Sequence, residues 1–211
     1  MSTVELNHEH FSLSRLFEVI KENKNVVLSK SAKEAIQKCR DFLDNKIDNT
    51  EDRIYGVNTG FGSLYDQAIS REELAQLQVN LVRSHACGTG EIVPKHIVKT
   101  MLLLKAIGLH YGNSGAQVET VERLLFYFNN DIIPVVYQQG SLGASGDLAP
   151  LAHIALALIG EGEVEFKGKT SNTANVLEEF NLTPIKLKSK EGLALLNGTQ
   201  FMSAYMANVV F

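Results

Sequence analysis

Apolar positions recur at helical spacing along most of the chain. Leu13, Leu16, Phe17 and Ile20 fall on one helix face. Ser31 with Glu34 has the spacing of a capping box and leads into Ile36, Cys39 and Leu43. Ser70 with Glu73 repeats that signature ahead of Leu74, Leu77 and Leu81. Pro94 suits the first position of a helix carrying Ile97, Met101 and Leu104. Val118, Val121, Leu125 and Phe128 form a further stripe, with Glu119 and Arg123 one turn apart to support it. Each stripe reads as the core-facing side of a helix. The run 148–158 is apolar on nearly every side, which predicts a buried helix. Residues 199–211 are helical in character and finish on Val209, Val210 and Phe211 with no Gly, Asn or Pro stop signal, so they read as a helix cut short.

Strand patterns are few. Asn25–Leu28 and Arg53–Tyr55 are short candidates, and Glu163–Phe166 alternates before a Lys167-Gly168 turn, which predicts a hairpin. The class is therefore mainly α with small β pieces.

Composition narrows the functional classes. The chain has 211 residues, 45% of them hydrophobic, and a net charge of -4. That balance argues against a nucleic-acid surface, which needs clustered positive charge. The apolar runs are too short for a membrane span, and the N-terminus lacks the apolar core of a signal peptide. Cys39 and Cys87 make neither a disulfide framework nor a zinc site, so a reducing, cytoplasmic setting is expected. His8, His10, His96, His110 and His153 have no metal-ligand spacing and are expected to be structural, so no metal is expected.

One stretch stands apart from these helices. Residues 140–151 read GSLGASGDLAPL, small residues running into the buried helix. Within it, Ala144-Ser145-Gly146 can react with itself. In a tight bend the Gly146 amide nitrogen can attack the Ala144 carbonyl carbon and close a five-membered ring. A glycine is required there, because a Cβ would obstruct the approach and its backbone conformation. Loss of one water gives an imidazolone, and loss of the Ser145 hydroxyl as a second leaves an exocyclic methylidene, a backbone-derived electrophile. The tripeptide is common and, taken alone, reads as a flexible turn before a helix, with Asp147 as the N-cap or first-turn acid.

The flanks point further. The segment 140–153, GSLGASGDLAPLAH, resembles the active-site signature of the aromatic amino acid ammonia-lyases, the family of histidine, phenylalanine and tyrosine ammonia-lyases and related aminomutases. Three more segments resemble that family in the same order: 55–62 (YGVNTGFG), 80–85 (NLVRSH) and 191–199 (EGLALLNGT). The resemblance implies the helical, aspartase/fumarase-like architecture of that family, with residues 1–198 forming its N-terminal domain and residues 199–211 beginning its central helix bundle. It also implies that Ala144, Ser145 and Gly146 mature into 4-methylideneimidazole-5-one (MIO), with no external cofactor.

Site roles follow from the same resemblance. Tyr55 is expected to be the base that takes the β-proton, which requires an environment favouring its phenolate. Gly62 belongs to the same loop and is expected at the substrate site, where the glycines at 56, 60 and 62 suit a mobile lid. Ser84 and His85 occupy the positions that read the substrate ring. Ser-His resembles the histidine enzymes, whereas phenylalanine enzymes carry Phe-Leu and many tyrosine enzymes His-Leu. An imidazole can also bond a tyrosine hydroxyl. Asn197 is expected beside the MIO, although Asn-Gly is also a helix stop. The implied activity is elimination of ammonia from L-histidine to give urocanate, in a homotetramer. The alternatives are a tyrosine or phenylalanine lyase, or a silent fragment, because the family's later active-site residues are absent from these 211 positions.

Overall fold

The computed structural model describes residues 2–7, 9–50, 52–60, 69–70, 73–140, 142 and 145–210. The chain opens with strand β1 (Thr3–Leu6), helix α1 (Leu13–Lys21) and strand β2 (Asn25–Leu28), and β1 and β2 pair in parallel. Leu6, Leu16, Val19, Val26 and Leu28 are all buried, so this unit closes over the main core.

Helix α2 (Lys30–Asp48) starts earlier than the capping-box pattern predicts. Ser29 is the N-cap, its hydroxyl accepting the Ala32 amide at 3.2 Å, and Ser31 lies inside the first turn. Helix α3 (Leu74–His85) follows. Ahead of it the Ser70 hydroxyl donates to the Glu73 carboxylate at 2.8 Å. Strand β3 (Thr89–Ile92) leads to helix α4 (Lys95–His110), whose N-cap is Pro94 rather than its first residue.

Helix α4 is the centre of the molecule. Ile97, Val98, Met101, Leu102, Leu103 and Ala106 bury several of its faces, and α2, α5 (Val118–Asn129) and α9 (Gln200–Val210) pack around it. In α5 the expected Glu119–Arg123 pair is not what holds Arg123. That side chain is buried, and its guanidinium donates to the Thr183 carbonyl at 3.0 Å.

After β4 (Ile133–Pro134) and β5 (Tyr137–Gln139) comes α6 (Leu148–Leu158), with the bounds its apolar run predicts. Leu151, Ile154 and Leu158 are buried in the main cluster, each contributing about 2 kcal/mol. The expected hairpin forms from β6 (Glu163–Phe166) and β7 (Lys169–Asn172), with Lys167 and Gly168 both at positive φ in the turn. β4 joins it to make a three-stranded antiparallel sheet, and β3 pairs antiparallel with β5. Helices α7 (Thr173–Glu179) and α8 (Glu191–Leu196) precede α9.

The strand expected at Arg53–Tyr55 is a turn instead. The Asn58 side chain accepts the Ile54 amide at 2.6 Å and donates to the Asp52 carbonyl at 2.8 Å, and the Val57 amide bonds the Ile54 carbonyl. An asparagine that satisfies the backbone locally removes the need for a ladder partner.

Candidate active site

The small-residue stretch sits at the N-terminal end of α6, a helix anchored by its buried faces. Ser145 is half-buried, and its hydroxyl accepts the Asp147 amide at 3.2 Å. Gly146 has φ +71°, and among the described residues, its chain neighbours apart, no atom lies within 4 Å of where a Cβ would stand. The positive φ at Gly146 is a backbone conformation that glycine adopts readily. Ala144 lies outside the described residues.

Asp147 departs from its expected role. It opens α6 but caps a different helix: its Oδ2 accepts the Phe201 amide at 2.9 Å and the Met202 amide at 3.3 Å, in the first turn of α9. Those amides have no partner within their own helix, and a carboxylate suits the positive end of the helix dipole. Asp147 is fully buried, and burial pushes its carboxyl above the usual range against the pull of the Met202 and Phe201 amides and of Lys105.

Asn197 reaches this neighbourhood through its backbone. It ends α8 with an exposed side chain, and its carbonyl accepts from the Lys105 Nζ at 2.9 Å. Lys105 also donates to the Ala194 carbonyl at 3.3 Å, and Asp147 is the charge that acts on it. Lys105 is 2% exposed, and burial lowers its amine to about 7. Asn197, Lys105 and Asp147 thus tie the turn between α8 and α9 to the start of α6.

Ser84 and His85 close α3, which packs on α6 and α8. The Ser84 hydroxyl donates to the Leu81 carbonyl at 2.9 Å, and His85 Nδ1 stands 3.0 Å from that carbonyl and 3.0 Å from the Ser84 hydroxyl. A proton on Nδ1 donates to the Leu81 carbonyl and leaves Nε2 as an acceptor. The chain leaving α3 is fastened to the loop that precedes Ser145. The Cys87 thiol donates to the Gly140 carbonyl at 3.4 Å, and the Gly88 amide donates to His153 Nε2 at 3.0 Å. Gly140 has φ +125°, and a Cβ there would lie 2.8 Å from the Gly88 Cα, so no larger residue fits. His153, expected to be structural, is the receptor for this junction, and burial lowers its imidazole.

Tyr55 lies elsewhere. It is 57% exposed on its turn. Val57 of that turn packs with Ile47 and Leu74, and its carbonyl accepts the Ser189 hydroxyl at 3.0 Å. Leu74 opens α3 and His85 closes it, so about 16 Å of helix separates the residue packed on the Tyr55 turn from His85. Gly62 lies outside the described residues. Sequence reasoning missed Lys105 and the capping target of Asp147, because their partners stand dozens of residues away in the chain.

These features define a chain of the aromatic amino acid lyase class: the model of that family, described as "Aromatic amino acid lyase", matches residues 11–211, and the chain belongs to it. Among individual relatives it is 48% identical to histidine ammonia-lyase of Staphylococcus saprophyticus over 202 residues, which are 96% of this chain and 40% of that protein. It is 49% identical to histidine ammonia-lyase of Deinococcus radiodurans, over 93% of this chain and 37% of that protein. The crystal structure of histidine ammonia-lyase from Trypanosoma cruzi superposes with a TM-score of 0.87 at 36% identity, over 99% of this chain and 40% of that one. The chain spans about two-fifths of the length of these relatives.

Proposed function

We propose that the protein acts as a histidine ammonia-lyase, eliminating ammonia from L-histidine to give urocanate in the cytoplasm. The observation that carries this reading is the junction just described. Cys87 and Gly88, just past Ser84-His85, bond Gly140 and His153, which flank Ser145-Gly146 in the chain. The 45–49% identities to histidine ammonia-lyases support the choice of substrate.

In this reading Ala144, Ser145 and Gly146 form MIO, which supplies an electrophile that turns the substrate amine into a better leaving group. His85 presents its imidazole to the imidazole of the substrate, and Ser84 orients His85. Tyr55 takes the β-proton, and the Asn197 amide faces the Ser145-Gly146 loop. Gly62 lies beside the substrate in the loop that follows Tyr55. The separation of the Tyr55 turn from His85 along α3 supports a site completed by a second copy, in a homotetramer.

The test uses the complete gene product. Histidine is expected to be consumed with urocanate appearing in its absorbance. Preferential consumption of tyrosine or phenylalanine would replace the substrate assignment. A protein inert toward all three, without the mass deficit of two waters, would make this chain a silent module.

A further inference from the structure

Lys105 is buried in the middle of α4, among Met101, Leu102 and Ala106, where an apolar side chain would cost less to bury. What the lysine adds is direction. Its Nζ donates to the Ala194 and Asn197 carbonyls at 3.3 and 2.9 Å. A lysine has three donors at most, so one remains. Asp147 Oδ2 is satisfied by α9, whereas its Oδ1 is buried with no hydrogen-bond partner among the described residues. Lys105 and Asp147 are both buried, one bonded to the Asn197 backbone and the other following Gly146 in the chain.

We propose that Lys105 is a positioning residue: by gripping the Asn197 backbone, it sets the Asn197 amide against the Ser145-Gly146 loop. The inference rests on the function proposed above. The Asn197 side chain starts from the same backbone unit that Lys105 holds, so slack at Nζ becomes displacement of the amide. A displacement of about 1 Å at a reacting centre can cost about 100-fold in rate.

The test is Lys105→Met in the complete gene product, which keeps the shape and removes the donors. The wild type is measured beside it, and its own inactivity would count against the function rather than against Lys105. Intact mass gives the cyclised fraction, and kcat is expressed per cyclised chain. The expected result is a folded variant with kcat down about 100-fold and KM within about threefold. Unchanged kcat, or a rise in KM alone, overturns the proposal, as does a lower melting temperature with normal kinetics. If Lys105→Met does not fold, a crystal structure of the wild-type enzyme decides. Nζ within hydrogen-bond reach of the Asn197 carbonyl sustains the proposal, and Nζ turned away from it overturns the proposal.

Discussion

Asp147 accepts the backbone amide of Phe201 at 2.9 Å, so the residue that opens α6 caps α9. The neighbour of the reactive loop is therefore also a clamp between two helices. Asp147→Ala removes the acceptor for two amides and the opposite charge beside Lys105. We expect a loss of about 2 kcal/mol in urea unfolding, in line with a lost cap and buried charged hydrogen bonds. An unchanged midpoint would contradict the clamp.

Two glycines of the same loop separate fold from chemistry. At Gly146 an added methyl meets no atom of the other described residues within 4 Å, so Gly146→Ala is expected to carry the cost of a left-handed residue, about 1 kcal/mol. The folded variant should lack the mass deficit of ring closure. At Gly140 the methyl would lie 2.8 Å from the Gly88 Cα and 2.9 Å from the Cys87 carbonyl oxygen, so Gly140→Ala should lower the melting temperature further than Gly146→Ala. A reversed order of melting temperatures would refute the close packing of residues 87–88 on 140.

Stability should rise with pH above neutrality. The unfolded chain keeps the Lys105 proton up to its ordinary 10.5, and burial lets the folded chain lose it near 7. Between those values the unfolded state binds more protons, so stability rises, by at most about 1.4 kcal/mol per pH unit for this group. Lys190, also lowered by burial, acts in the same direction. Tyr127, pushed up to about 12 by burial, opposes the trend only above its ordinary 10. Asp147, raised by burial, lowers stability as pH climbs through the acid range just above 3.8. The urea midpoint should increase from pH 7.5 to 9.5 and do so less in Lys105→Met. An identical pH dependence in both proteins would refute the buried, titrating lysine.

Substrate choice is testable at the end of α3. Ser84→Phe with His85→Leu removes the imidazole and the hydroxyl that contacts it. We expect kcat/KM for histidine to fall by at least about 100-fold, as in sites built to hydrogen-bond their substrate. Unaltered histidine turnover would dismiss His85 as the reader of the ring.

The helices were legible in the sequence because burial writes itself as spacing. The apolar run 148–158 gives α6 its bounds, and the stripe from Val118 to Phe128 gives α5 its core face. Ends were less legible where two residues compete for one role, as Ser29 and Ser31 do at α2. Arg53–Tyr55 reads as a short strand, yet Asn58 satisfies its backbone locally. At the site, the tripeptide 144–146 stands in the chain order itself. The contacts from Lys105 to Asn197, Asp147 to Phe201 and His153 to Gly88 join distant segments and leave no periodic trace.

The most direct test is the intact mass of the purified protein. If Ala144, Ser145 and Gly146 close into the ring, the mass lies about 36 Da below that of the sequence, the stoichiometry of two lost waters. Ser145→Ala, which has no second water to lose, should not show that full deficit. A wild-type mass equal to that of the sequence contradicts the account.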